Sequence, residues 1–466
     1  MKRRLLYIFA ALAVLSLVPY GCGQKEDNPQ QKEDPQQPED PDTPLGELDP
    51  ITLNVPVTDN WIFHLKPNLL IQLENPNNVD VEATVTVRFT SDFKEDKGSV
   101  EKTVKVPAKC TLDVPITTEV DFEPGFYKAK CSLDGYRKKT FNFGVDPLGI
   151  VSAPDMQADF HSFWEWGVAQ LKDIDMNIRM TELEKKSSAD CKVYLVEFDS
   201  VPDGLEGDPV TVRGYYLEPQ DGKKHPVLLH FYGYDSQTPG VLSCPYGGSK
   251  PTYTELYFSH RGQYINNRPA SKREPDGHGD FVNPYGDWFA YNFGDKNSYY
   301  YRGAYLDCAQ AVRFMATRET SDMNNLFAEG SSQGGALTYA AAALSDYPFS
   351  AIACNVAFMG DFPDYFRIVD WPANVAKANK GSMTDEEMYK FLSYFDTKNM
   401  VNHNPTYALY ATSGLEDATC PSHTNVAPFN NLPVEDKEMH FYPKMTHDYP
   451  STWTSDIDKF FKAHMK

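Results

Sequence analysis

The chain has 466 residues, 41% of them hydrophobic and 13% aromatic, which is enough for a sizeable core. At about 100 to 200 residues per domain it divides into two or three units. A net charge of −21 argues against a nucleic-acid binder, which needs basic patches, and eight cysteines without C-x-x-C spacing argue against a zinc site, so neither metal nor cofactor is expected.

Residues 1–21 open with Lys2, Arg3 and Arg4 and continue as an apolar run from Leu5 to Val18. That run is too short to span a bilayer and suits a secretory signal peptide. Gly21-Cys22 at its end resembles a bacterial lipobox, although Pro19 and Tyr20 depart from the usual leucine and small residue. The resemblance implies that Cys22 is acylated and becomes the mature N-terminus, anchored by several chains at ~0.8 kcal/mol per buried CH₂. An outer-membrane lipoprotein is expected; the QKED that follows resembles a surface-export signal, and the sequence leaves periplasmic and outward orientation open.

Residues 22–50 repeat KED and PQQ units with six prolines and no aromatic side chain. Such a segment buries no core and is expected to be an extended, disordered tether.

From residue 51 the period changes to two. Val79, Val81, Ala83, Val85, Val87 and Phe89 alternate with Asp80, Glu82, Thr84, Thr86 and Arg88, and turn formers recur at 75–78 and 123–125. Short antiparallel strands at this spacing predict an immunoglobulin-like β-sandwich over 51–148. Without a convergent polar or aromatic set, it reads as a spacer rather than a glycan-binding module. Cys110 and Cys131 fall in this unit, where a disulfide and two buried thiols are both open readings.

Over 149–466 the pattern alternates between helix and strand. A helix carries Phe160, Phe163, Trp164, Val168 and Leu171 at helical spacing. Strands follow at 210–219, 226–234, 254–260, 325–330, 350–358, 407–414 and 437–443, with helices near 304–317, from Gly334, and at the C-terminus. Continuous apolar strands separated by helices predict an α/β fold with a mostly parallel sheet covered on both faces.

The stretch NLFAEGSSQGG, residues 325–335, is a strand running into G-S-S-Q-G and then a helix, the strand–turn–helix context of a nucleophile elbow. The central residue, Ser332, is the expected nucleophile. A serine hydroxyl needs an imidazole to take its proton and a carboxylate to orient that imidazole, in the order Ser, Asp or Glu, His for this fold. Of His423, His440, His447 and His464, only His447 occupies a loop directly after a strand. The acid comes from the loop after strand 407–414, where Glu416 and Asp417 are adjacent and spacing does not choose between them. Backbone N–H groups of Gln333 and Tyr234 are the expected oxyanion donors.

At this point the chain resembles the acetyl xylan esterase and cephalosporin C deacetylase family, carbohydrate esterase family seven, within the α/β-hydrolase superfamily. The resemblance rests on D-F-H-S-F-W (159–164), R-G-Q (Arg261, Gly262, Gln263), Y-Y-Y-R (299–302) with Asp307, G-S-S-Q-G-G (330–335), G-L-E-D-A-T-C-P-S (414–422) and His447. It implies Asp417 as the triad acid, Tyr234 and Gln333 as oxyanion donors, and structural roles near the site for Arg261, Gly262, Gln263 and Arg302. Tyr232, Asp448 and Ser422 stand where the family has histidine, glutamate and proline, which bears on substrate preference. The expected reaction is hydrolysis of acetyl esters on xylan or xylo-oligosaccharides, with the carbohydrate and, through Cys22, the membrane as partners. The family's ring-shaped hexamers keep a homo-oligomer open, and the sequence leaves undecided whether the added sandwich and tether block that assembly. Two other readings are a prolyl oligopeptidase-like peptidase, for which the β unit is too small to be the usual propeller, and a non-catalytic glycan-binding lipoprotein.

Overall fold

A computed structural model describes residues 48–234, 244–263 and 283–466; the expected signal peptide, Cys22 and all but the end of the tether lie outside these residues. The first strands are β1 (Thr52–Asn54), β2 (Ile62–Phe63), β3 (Asn68–Glu74), β4 (Val81–Ser91), β5 (Asp96–Val106), β6 (Thr111–Thr117), β7 (Gly125–Leu133) and β8 (Arg137–Val145). They form a three-stranded sheet, β1-β3-β6, and a five-stranded sheet, β2-β8-β7-β4-β5. The alternation in β4 buries Ala83, Val85, Val87 and Phe89 and leaves Glu82 and Arg88 exposed, as one half-buried face requires. These side chains share one core with Leu69, Ile71, Leu73 and Ile116 of the smaller sheet. Cys110 and Cys131 are thiols rather than two halves of a disulfide, and burial pushes the Cys131 pKa up to about 12.

After helix α1 (Phe160–Asp173) come β9 (Arg179–Glu182), β10 (Cys191–Pro202), β11 (Pro209–Pro219), β12 (His225–Phe231), β13 (Thr254–Ser259), α2 (Tyr300–Ala316), β14 (Ser321–Ser331), α3 (Gln333–Leu344) and β15 (Ala351–Asn355). Four short helices follow, α4 (Phe362–Ile368), α5 (Ala373–Asn379), α6 (Asp385–Leu392) and α7 (Thr397–Met400). The chain then runs through β16 (Ala408–Gly414), α8 (Ser422–Asn431), β17 (Lys437–Tyr442) and α9 (Trp453–Ala463).

The nine strands β9 to β17 make one sheet, in the order β17-β16-β15-β14-β12-β13-β11-β10-β9. From β13 to β17 every neighbouring pair is parallel, and β15 and β16 are buried at every position because helices cover both faces. The other end is antiparallel, β11 pairing with both β13 and β10, and β10 with β9. The sheet is thus mixed, and the hairpin β9–β10 was not anticipated. Helices α4 to α7 were not anticipated either, since four to eight residues are too few to establish a period, although Thr384 and Glu387 form a capping box that the sequence spells out. Helix α1 packs Phe160, Phe163, Trp164 and Leu171 into the core of this second unit.

Candidate active site

Strand β14 passes into α3 with a single residue between them. That residue is Ser332, held at φ 58° and ψ −123°, a backbone conformation rarely seen outside glycine. The turn closes because its flanks have no side chains. A Cβ on Gly334 would stand 2.3 Å from the Phe231 carbonyl oxygen, and one on Gly330 2.3 Å from the Gly334 oxygen. The strained turn is fixed by Ser332 N–H donating to Asn355 O at 3.0 Å and by Phe358 N–H donating to Ser332 O at 2.9 Å.

The loop after β16 carries Asp417, whose side chain is fully buried. Its Oδ1 accepts the N–H groups of Thr419 and Cys420, each at 2.8 Å, and its Oδ2 faces His447 Nδ1 at 2.8 Å. Glu416 points the other way, its two oxygens taking N–H and Nδ2 of Asn142 at 2.8 and 2.9 Å. His423 pairs with Asp92, His440 with Glu438 and His464 with Asp436, so of the four histidines His447 is the one beside Asp417. Its ring is 31% exposed, and Nε2 is not engaged by any described residue. Among the described residues no hydrogen bond joins Ser332 to His447.

Asn355, at the end of β15, ties these loops together and went unread in the sequence. Its Nδ2 donates to Ser331 Oγ at 2.7 Å and to the Asp448 carbonyl at 3.1 Å, while its Oδ1 accepts from Thr412 Oγ1 at 2.6 Å. One amide therefore bridges the serine turn, β16 and the histidine loop.

Gln333 is buried, and its side chain is locked by neighbours. The Tyr301 hydroxyl donates to Oε1 at 2.8 Å, and Nε2 donates to His260 Nε2 at 2.9 Å. His260 must then carry its proton on Nδ1, 2.8 Å from the Tyr300 hydroxyl, which itself donates to Arg261 O. Burial pushes the His260 pKa down to about 4, so the ring is neutral near pH 7. A histidine at the end of β13 was a readable signal, and sequence reasoning passed over it.

Tyr234 follows β12, and its hydroxyl donates to Asp287 Oδ1 at 2.7 Å. Its ring meets Trp288 and Trp371 edge-on. Gln263 Nε2 donates to Gly233 O at 3.2 Å, supporting the same loop. Arg261 makes a two-pronged ion pair with Asp307, both side chains at most 1% exposed, and its Nη2 also reaches Val201 O. Gly262 adopts φ 72°, which a side chain there would disfavour. Arg302 is buried with Gln170 as partner and lies over the Trp166 ring, and burial lowers its pKa to about 10. Gln263 thus touches the loop of Tyr234, Arg261 ties the turn after β13 to α2 and β10, and the contacts of Arg302 run to α1.

Asp361, Asp364 and His423 lie close enough to ligate an ion. The set does not fit one: Asp361 already binds Lys398 at 2.8 Å, Asp364 binds Arg367 at 2.8 Å, and His423 binds Asp92.

The nine-stranded sheet and its covering helices make an α/β-hydrolase-like fold, and the relatives place the chain among the carboxylic ester hydrolases. Residues 150–465 match the family model described as Acetyl xylan esterase (AXE1), and the chain belongs to that family. It is similar to "Acetyl esterase Axe7A" of Xylanibacter ruminicola, 22% identical over 406 residues that cover 82% of this chain and 83% of the relative. Among solved structures it is similar to an acetyl xylan esterase from Paenibacillus sp. R4, at 25% identity and TM-score 0.54, over 67% of this chain and 96% of that one. Acetyl xylan esterase 1 from Thermoanaerobacterium sp. shares the fold at 20% identity and TM-score 0.55, over 68% of this chain and 98% of its own.

Proposed function

We propose that the protein removes acetyl groups from xylan or xylo-oligosaccharides through an acetyl-enzyme formed on Ser332. His447 Nε2 takes the hydroxyl proton as Oγ attacks the acetyl carbonyl carbon, and Asp417 holds the ring in the tautomer that leaves Nε2 free to accept. The oxyanion of the tetrahedral intermediate is taken by the N–H groups of Gln333 and Tyr234. Collapse breaks the bond to the sugar oxygen, which leaves with the proton from His447. A water, deprotonated by the same imidazole, then attacks the acetyl-enzyme and releases acetate.

The observation that carries this reading is Ser332 on a positive-φ turn at the end of β14, with Asp417 and His447 paired 2.8 Å apart after β16 and β17. Ser332→Ala tests it: hydrolysis of p-nitrophenyl acetate and acetylated xylo-oligosaccharides should fall by roughly 10³-fold or more. Activity within tenfold of the parent would remove Ser332 from the mechanism.

The same proposal takes 51–148 as an immunoglobulin-like sandwich, 149–466 as the esterase domain, and Cys22 as a lipid anchor that places the enzyme at the outer membrane. The two facing sheets with a common core support the first of these.

A further inference from the structure

The β1–β8 unit reads in sequence as a spacer, yet it grips the loop that carries the proposed triad acid. Asn142, in β8, meets that loop three times: its N–H donates to Glu416 Oε1 at 2.8 Å, and its Nδ2 donates to Glu416 Oε2 at 2.9 Å and to Leu415 O at 2.8 Å. Leu415 and Val426 are buried in the core of the β unit rather than in that of the esterase. On the far side of Asp417, Asp92 at the end of β4 pairs with His423 in α8 at 2.9 Å, and Phe93 packs on the same ring. On its inner side the loop is held by Glu416 N–H donating to Met445 O at 3.0 Å, in the segment that leads to His447. Asp417 thus sits at the middle of a loop clasped by two units.

We infer that the N-terminal β domain is a working part of the esterase site, with Asn142, and Glu416 which it holds, acting as positioning residues for Asp417. The inference rests on the triad reading above. Glu416 and Asp417 are consecutive, so holding one carboxylate fixes the backbone from which the other projects. A carboxylate that must meet an imidazole at 2.8 Å tolerates little drift, and misplacement by about 1 Å costs roughly 100-fold in rate. The solved acetyl xylan esterase from Paenibacillus is matched over 96% of its length and 67% of this chain, a share close to that of residues 149–466. Beside Asp417 the two units line a cavity of about 270 Å³, so the polar contacts ring a gap while Leu415 and Val426 supply the apolar part of the contact.

Deleting the whole domain would strip Leu415 and Val426 of their packing, so point variants of the full chain are the cleaner test. Asn142→Ala, Glu416→Ala and Glu416→Gln are compared with the parent and with Ser332→Ala on p-nitrophenyl acetate, with melting temperatures recorded alongside. Asn142→Ala and Glu416→Ala should each lower kcat by roughly 10- to 100-fold, with KM within about twofold and a cooperative melt retained. Glu416→Gln, which keeps an acceptor for the Asn142 N–H but sets its own N–H₂ against Asn142 Nδ2, should recover part of the loss. The double variant Asn142→Ala/Glu416→Ala should be no worse than either single one, as expected of two ends of one contact. Full kcat in Asn142→Ala and Glu416→Ala while Ser332→Ala is inactive overturns the inference and leaves the triad standing. Activity in Ser332→Ala overturns the triad first. A loss of kcat that only follows a lowered melting temperature, with no recovery in Glu416→Gln, reduces the contact to ordinary stability and also overturns the inference.

Discussion

Asp417→Asn separates orientation of the imidazole from every other contribution. In the parent, Oδ1 accepts two backbone N–H groups and Oδ2 faces His447 Nδ1. An asparagine can enter this place in two ways. With its oxygen on the Thr419 and Cys420 N–H groups, both of those bonds survive and the amide nitrogen faces the imidazole. Flipped, it would point its own N–H groups at two donors and leave both unsatisfied, at about 1–3 kcal/mol each, so the first orientation wins. The amide then donates to His447 Nδ1 and drives the ring proton to Nε2, where it blocks removal of the proton from Ser332. The expected loss in kcat is about 10⁴-fold, equivalent to ~5.5 kcal/mol of transition-state stabilisation, with KM little changed. The stability change should stay near 1 kcal/mol, since the packing and two of three bonds are kept. Steady-state hydrolysis of p-nitrophenyl acetate, read beside a thermal melt, measures both. A kcat within tenfold of the parent, with the melt unchanged, would refute the role of Asp417 and reopen the choice of acid.

Two further outcomes follow from the charges and the N-terminus. Burial disfavours the charged form of His423, but its pairing with the carboxylates of Asp364 at 3.3 Å and Asp92 at 2.9 Å outweighs it and lifts its pKa to about 9. Because the folded value lies above the unfolded 6.5, this stabilisation is complete below pH 6.5 and disappears as pH rises through 9, a loss of about 3 kcal/mol. Denaturant midpoints at pH 6 and pH 10 should therefore converge in His423→Gln relative to the parent; an equal alkaline loss in both proteins would show that His423 carries no such linkage. For the anchor, Cys22→Ser expressed in a Gram-negative host should move the protein from the membrane to the soluble fraction, and continued membrane retention would count against lipidation.

Local chemistry and long-range contact divide what could be read from the chain. Period-two alternation exposed β4 and its neighbours because one buried face dictates it, and the apolar runs of β14, β15 and β16 stood out because both of their faces are covered. The antiparallel end of the sheet was passed over although β10 alternates buried and half-buried positions over much of its length and runs into Pro202-Asp203-Gly204, a turn signal. The serine turn was legible because small residues on either side of Ser332 are a steric necessity, one that the sequence must spell out in order. Asn355 was not, since an asparagine at a strand end looks the same whether it faces water or bridges Ser331 to the histidine loop.

The choice between Glu416 and Asp417 marks where local reasoning stops. Both carboxylates leave the same strand end, and nothing in the spacing of G-L-E-D distinguishes a residue that meets an imidazole from one that meets an amide. What distinguishes them is Asn142, 274 positions earlier in the chain, which supplies two N–H donors to Glu416 and so turns it away from His447. The proposed acid is thus picked out by the partner of its neighbour, and that partner belongs to the unit whose sequence carries no sign of catalysis. A domain can therefore read as a spacer on its own residues and still decide the geometry of the site, because its contribution exists only in the contact.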